Sequence, residues 1–156
     1  MLNYLLVFFI SMVPLIELRG AIPIAIGMGL PAIPAIIVCA IGNMLPVPII
    51  YFFARKFLLW GAKQRYLGKL CSFFVVKGER AGQKLVEKAG RGGLFMALML
   101  FVGIPLPGTG AWTGALGASF LNMGFKSTTL SVSLGVVIAG IIMATVSLLG
   151  LHIFGL

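Results

Sequence analysis

The sequence predicts an all-α integral membrane protein. Its fold would be an inverted repeat, in which each half joins a re-entrant helical hairpin to a transmembrane helix, with a basic cytoplasmic helical connector between the halves. The 156 residues are 60% hydrophobic and 10% charged, whereas a soluble domain is usually about 25% charged. Ten of the twelve Lys and Arg residues lie between Arg55 and Arg91, with long uncharged runs on either side. This length allows one membrane domain rather than two.

Charge divides the chain into a first repeat over residues 1–54, a basic connector over 55–91 and a second repeat over 92–156. The uncharged run 20–54 contains 35 residues. That is too many for one helix across a core of about 30 Å and too few for two full helices and a turn. One full span and one half-length helix fit this run. Residues 1–16 are likewise too few for a span.

One segment recurs in the two halves. Residues 17–27 align without gaps to residues 107–117. The alignment pairs Gly20 with Gly110, Ala21 with Ala111, Ala25 with Ala115 and Gly27 with Gly117. A short apolar run precedes each copy and a longer one follows it, so we interpret the pattern as an internal duplication. Interrupted segments at corresponding positions of two halves are typical of the binding site of a transporter.

Proline and glycine interrupt the apolar segment in each half. Proline removes an amide donor, and glycine permits positive φ. In lipid the freed backbone groups must find partners, so a broken helix survives only where protein or a cavity covers it. The runs before the breaks are too short to span, which favours re-entrant hairpins over proline-kinked through-helices, the alternative. The predicted hairpin tips are Pro14, Gly20 and Pro23 in the first repeat and Pro105, Pro107, Gly108 and Gly110 in the second.

Topology follows from the basic residues, which are enriched in cytoplasmic loops. The connector is predicted to be cytoplasmic, in a multi-pass protein of the inner (plasma) membrane, and Lys126 returns to the cytoplasmic side. The two hairpins would then enter from opposite faces, with their tips meeting near the midplane. Asn43, Pro46 and Pro48 predict a further kink in the first long helix, with Asn43 as a structural hydrogen-bonding group.

Glu17 and Arg19 place opposite charges between the apolar run 1–16 and a long uncharged run. Charges at membrane depth are costly and mark transport pathways. Residues two apart do not face each other on a continuous helix, so these side chains can pair only where the backbone breaks. We predict that Glu17 is a proton or ion site and that Arg19 binds anions through its bidentate fork. The alternative is a structural ion pair that fixes the hairpin tip.

The second break offers neutral polar groups. Thr109, Trp112 and Thr113 are predicted to form the wall opposite Glu17 and Arg19, where exposed amides at a half-helix N-terminus can hold an anion. The loop lacks the lysine of a Walker motif, and the two cysteines lack the spacing of a metal site. We therefore predict no cofactor and no metal. The alternative is that the glycines here serve only close helix packing.

The segments Pro14-x-x-Glu-Leu-Arg-Gly-Ala-Ile-Pro23 and Pro105-Leu-Pro-Gly-Thr-Gly-Ala-Trp-Thr-Gly-Ala115 together resemble the small multidrug export family. That family is grouped with the DedA-type (VTT-domain) membrane proteins. The resemblance implies facing re-entrant hairpins, lipid movement including polyprenyl phosphates, and drug and pH tolerance that depends on the proton-motive force. It also implies acidic residues in the first hairpin, which Glu17 matches, and arginines in or near the second. This chain instead carries Arg19 in the first hairpin and no charge in the second.

The sequence thus predicts a membrane transporter and not an enzyme. It would export or translocate a small amphipathic, lipidic or anionic substrate, coupled to protons or another ion. The alternatives are an intramembrane enzyme acting on lipid phosphates and a non-transporting membrane assembly factor. The predicted partners are membrane lipids, the small substrate, the coupling ion and a second copy in a homodimer. Nucleic acid is not expected, because the basic residues cluster beside apolar spans as topology signals.

Overall fold

The structure, a computed structural model, describes residues 2–63, 68–106 and 108–154. Within these ranges the chain is helical and contains no strand. In chain order the helices are α1 (Leu2–Met12), α2 (Glu17–Gly27), α3 (Ala32–Met44), α4 (Pro46–Ala62), α5 (Gly68–Gly103), α6 (Ala111–Phe120) and α7 (Phe125–Phe154). Among the described residues, two stretches are long and apolar enough to cross a membrane: Ala32–Gly61, across α3 and α4, and Phe125–Gly150 in α7. The predicted all-helical class is confirmed, and these two stretches are candidate membrane spans.

The first interruption, which we call the first break, comprises residues 13–16 between α1 and α2. Pro14 lies within it and is exposed. Leu15 and Glu17 have φ angles of 78° and 49°, a left-handed conformation that is uncommon for residues other than glycine. The α1 helix has 11 residues, which corresponds to a length of about 16 Å. It therefore covers about half of a bilayer core of about 30 Å.

Gly20 and Pro23 belong to α2 and not to the break, so their prediction as tip residues is wrong. The Gly20 N–H bonds to the Ile16 carbonyl at 3.0 Å, and a Cβ at position 20 would lie 2.5 Å from Ile16 Cγ2. Gly20 therefore provides space within a helix rather than a turn. Pro23 is tolerated in α2 because neighbouring groups in a membrane protein can satisfy the carbonyl that loses its amide partner.

The second interruption, the second break, comprises residues 104–110 between α5 and α6. Pro105 lies in it, and Gly108 has a φ of 81°, which glycine adopts without steric penalty. Gly110 immediately precedes α6. These three residues lie where the tip was predicted, while Pro107 falls outside the described residues.

The predicted connector is largely helical. Its first part continues α4, and residues 68–90 form the first part of α5, which ends where Gly90 turns with φ 70° and ψ 176°. At the other end of α4, Leu45 separates α3 from α4 but keeps helical angles of φ −62° and ψ −41°, and Pro46 begins the next helix. This interruption lies at the kink that Pro46 and Pro48 predicted.

Burial repeats along the chain at a spacing of 93 residues, as between Leu18 and Ala111. The pairs that are buried in both halves include Leu18/Ala111, Ala21/Gly114, Ile22/Ala115, Ala25/Ala118, Ala35/Thr128, Cys39/Val132 and Gly42/Gly135. The ungapped alignment had used a spacing of 90 residues, pairing Gly20 with Gly110. The difference of three residues is close to one helical turn of 3.6 residues. The burial pattern therefore favours a register about one turn away from that of the alignment.

The two halves also share a close helix approach at glycine. A Cβ at Gly42 in α3 would lie 2.6 Å from the Phe8 carbonyl oxygen in α1, and a Cβ at Gly135 in α7 would lie 2.7 Å from the Met99 carbonyl oxygen in α5. Between the halves, α2 contacts α7 and α6 contacts α4. Each half-length helix thus packs on long helices from both halves. This packing places the start of α2 beside the start of α6.

Candidate functional site

Glu17 is the first residue of α2, and its carboxylate lies at the start of α6. The side chain is 6% exposed, and its Oε1 accepts a hydrogen bond from the Trp112 backbone N–H at 3.1 Å. Trp112 is the second residue of α6, and the first amides of a helix have no partner within it. A negative charge is also favourable near the positive end of the helix dipole. Glu17 therefore completes a helix from the other half of the chain.

Gly110 leaves the room that this contact needs. A Cβ at position 110 would overlap both carboxylate oxygens of Glu17. The φ of Gly110 is 176°, which any residue can adopt, so the requirement is space and not backbone conformation. The carboxylate therefore rests directly on the backbone of residue 110.

Arg19 lies two residues after Glu17 in α2. It contacts Leu106 and Thr109, which precede the Gly110 position that Glu17 contacts. Its Nη1 donates to the Leu106 carbonyl, and its Nη2 donates to Thr109 Oγ1 at 2.8 Å. The same hydroxyl lies 2.9 Å from the carbonyl oxygens of Ile104 and Leu106. Both carbonyls also accept backbone N–H bonds, Ile104 from Leu106 at 2.8 Å and Leu106 from Thr109 at 3.1 Å. Arg19 and the Thr109 hydroxyl add side-chain hydrogen bonds to this turn.

The two charges thus divide the second break between them. Glu17 accepts from the Trp112 amide and Arg19 donates to the Leu106 carbonyl, so each charge faces the backbone group that it complements. The sequence predicted that Glu17 and Arg19 could pair only at a broken backbone, and the break does lie immediately before Glu17. It did not predict that their hydrogen bonds would go to the backbone of the other half.

A small cavity of about 10 Å³ lies beside these contacts, large enough for about one water molecule. It is lined by Glu17, Leu18, Arg19, Asn43, Val102, Gly110, Ala111, Val136 and Ala139. Asn43 is 2% exposed, and its Oδ1 has no hydrogen-bond partner among the described residues. Asn43 had been interpreted as a structural group. Its position in a 35-residue uncharged run was the one signal that could have marked it as part of the site.

The remaining predicted site residues differ in their placement. Trp112 is half-buried, and its Nε1–H has no partner in the described part of the chain. Thr113 is exposed, and its hydroxyl bonds to the Gly110 carbonyl of its own helix at 3.3 Å. The structure therefore brings Glu17, Arg19, Thr109 and Trp112 together and leaves Thr113 at the margin.

Comparison with known proteins gives one family. The model of a family described as "putative small multi-drug export protein" matches residues 17–142. The match begins at Glu17 and includes both half-length helices α2 and α6 as well as the second break. No curated protein and no solved structure matches the chain.

Thr109 and Thr113 offer a matched pair of substitutions for the second break. We expect Thr109→Val to lower the free energy of unfolding by about 1–3 kcal/mol, because it removes the acceptor of Arg19 Nη2 and the hydroxyl contacts to the Ile104 and Leu106 carbonyls. Thr113→Val removes an exposed local bond and should change it by about 0.5 kcal/mol or less. Denaturant unfolding in detergent micelles, followed by tryptophan fluorescence, measures both. Equal effects of the two substitutions would contradict the assigned role of Thr109.

Proposed function

Because the chain belongs to the small multi-drug export protein family, we propose that it is an ion-coupled exporter of a small amphipathic, lipidic or anionic substrate. The observation that carries the proposal is the contact of the buried Glu17 and the half-exposed Arg19 with the second break and the start of α6. An acid and a base that meet there, between two interrupted helices, form a site that can respond to an ion and to a substrate charge. The family description indicates export rather than catalysis.

In this proposal the two breaks are the tips of re-entrant hairpins formed by α1 with α2 and by the last part of α5 with α6. The half-length of α1, the repeated burial and the shared glycine contacts support an internal repeat. The basic residues of 55–91 support a cytoplasmic connector in the inner membrane. The two hairpins would then enter from opposite faces, so the repeat is inverted.

Coupling in the proposal depends on the charge of Glu17. The ionised carboxylate holds the start of α6 through the Trp112 amide. A bound ion removes its negative charge, which weakens the interaction with the positive end of α6. The two tips then separate, and the site becomes accessible from the other face. The contact between the tips is therefore the element with two states that alternating access requires.

Arg19 supplies the substrate contact in the proposal. Its guanidinium group carries five N–H donors and is half-exposed. When the tips separate, the donors now held by the Leu106 carbonyl and Thr109 become available to a carboxylate or phosphate of the substrate. The buried indole N–H of Trp112 lies in the same region as a further donor.

Membrane lipids are the proposed partners of the basic part of α5. Lys69, Val76, Lys77 and Arg80 line one open groove of about 560 Å³ on this helix. Their spacing places them on one helix face, and Lys77 Nζ lies 5.0 Å from the Phe73 ring centroid. A face with cations above apolar side chains suits anionic headgroups, each cation contributing about 1 kcal/mol.

A second copy of the chain is also part of the proposal. A chain of 156 residues leaves the first break open at its surface, and Leu15 there is 95% exposed. A homodimer would cover this interrupted backbone, as membrane proteins require.

Transport by reconstituted protein tests the function. We expect wild-type protein in liposomes under an imposed pH gradient to move ethidium or NBD-labelled phosphatidylglycerol, and Glu17→Gln and Arg19→Ala to slow that movement at least about tenfold. Glu87→Gln is the matched control, because Glu87 is an exposed acid of the connector. Wild-type rates in Glu17→Gln and Arg19→Ala, or no movement of either probe by the wild type, would contradict the proposal.

Topology has its own test. Single cysteines at Asn3, Lys77 and Lys126, all exposed positions, are introduced into a chain without its native cysteines. A membrane-impermeant maleimide should label Asn3→Cys from the outside and Lys77→Cys and Lys126→Cys only from the cytoplasm. Labelling of Asn3→Cys from the cytoplasm is incompatible with a first hairpin that enters from the outer face.

A further inference from the structure

Asn43 carries a buried acceptor whose partner the described residues do not supply. The side chain is 2% exposed, and its Oδ1 makes no hydrogen bond within the described part of the chain. Buried polar atoms of native proteins are nearly always paired, and an exception calls for an explanation such as an unassigned water or a functional role. Position 136, which is 93 residues later and also lines the cavity, carries valine. An apolar side chain therefore fits this kind of position, so packing alone does not explain the amide.

The cavity places Asn43 with Glu17 and Arg19. These are the polar side chains among its nine lining residues, and Glu17 and Arg19 are the ionisable ones. The lining residues that come from α5, α6 and α7 are apolar or glycine. On α3, the Cys39 thiol lies 4.0 Å from the Val7 carbonyl of α1 and so faces α1. Arg19, the start of α6 and Asn43 are therefore the polar groups that surround Glu17 at this cavity.

The two protonation states of Glu17 need different partners. An ionised carboxylate only accepts hydrogen bonds, and the Trp112 amide provides one. A protonated carboxyl group is also a donor and needs an acceptor. The amide oxygen of Asn43 is an acceptor that receives no hydrogen bond from the described residues. The cavity of about 10 Å³ that both side chains line has room for one water, which would have Asn43, Glu17 and Arg19 as polar partners.

We propose that Asn43 is a positioning residue that stabilises the protonated form of Glu17. It accepts, through one water molecule in the cavity, the hydrogen bond that the neutral carboxyl group donates. The inference rests on the proposed ion coupling and identifies the ion as a proton. A metal cation in the same cavity would meet the fixed positive charge of Arg19 at close range and is disfavoured. Proton uptake instead leaves the net charge of Glu17 at zero and brings no second cation close to Arg19.

Infrared spectroscopy tests this role without any transport measurement. The chain has three Glu and no Asp residues, so the carboxylic C=O region of pH-difference spectra contains few bands. Full-length protein in phosphatidylcholine nanodiscs is titrated with acid, and the band that Glu17→Gln removes is assigned to Glu17. Asn43→Val and Asn43→Thr form the matched pair, because valine and threonine have nearly the same volume and only threonine has an oxygen acceptor.

We expect Asn43→Val to move the Glu17 band to higher frequency, as loss of a hydrogen bond requires. We also expect the midpoint of its appearance to fall by about one pH unit, a tenfold loss of proton affinity. Asn43→Thr should restore most of both values. An unchanged band in Asn43→Val, equal shifts in the two variants, or no band sensitive to Glu17→Gln would overturn the proposal.

The same set of variants separates this inference from the proposed function. If Glu17→Gln slows transport but the Asn43 variants leave the Glu17 infrared band unchanged, only the role of Asn43 is contradicted. The expected infrared shifts without movement of either transport probe contradict export and leave the proton site standing.

Discussion

The structure depends on one set of polar contacts: two charged side chains at the start of α2, directly after the first break, bond to the second break and to the start of α6. Glu17 occupies an amide at the start of α6, and Arg19 occupies a carbonyl and the Thr109 hydroxyl after α5. Interrupting a helix within a membrane frees groups that lipid cannot satisfy. At the second break, Glu17 and Arg19 of α2 supply side-chain partners to such backbone groups. Each half therefore needs the other, and packing of α2 on α7 and of α6 on α4 holds the two breaks together.

This set of contacts also explains why the charges lie only on one side. In the structural register, residues 17 and 19 correspond to Gly110 and Trp112. Gly110 provides the space for the Glu17 carboxylate, and Trp112 provides the amide that it accepts from. A charge at position 110 would have no room beside Glu17. The Glu17 carboxylate can therefore contact residue 110 only because that position carries glycine and not a charged side chain.

The sequence predicted the interruptions and the half-length helices because these follow from proline, glycine and run length. Gly20 and Pro23 were misplaced because the same residue types also occur within helices, where Gly20 makes room for Ile16. The alignment register differs by about one turn from the spacing at which burial repeats, since small residues recur at helical spacing on the same face. Glu17 was predicted as a site residue. Its partner is a backbone amide, which almost every residue carries, so the sequence could not identify that partner. Asn43 gained significance only when its unpaired oxygen and the cavity became visible together.

The distance between the Glu17 carboxylate and the Trp112 amide tests the central claim most directly. Solid-state NMR can measure it in lipid with 13Cδ-labelled Glu and 15N-labelled Trp, because the chain has only three Glu and two Trp residues. The account predicts strong dipolar dephasing of the Trp112 backbone nitrogen by the Glu17 carboxyl carbon, in keeping with an Oε1–N distance of 3.1 Å. Absence of that dephasing in well-folded protein would show that the two breaks do not meet through Glu17, and would contradict the account.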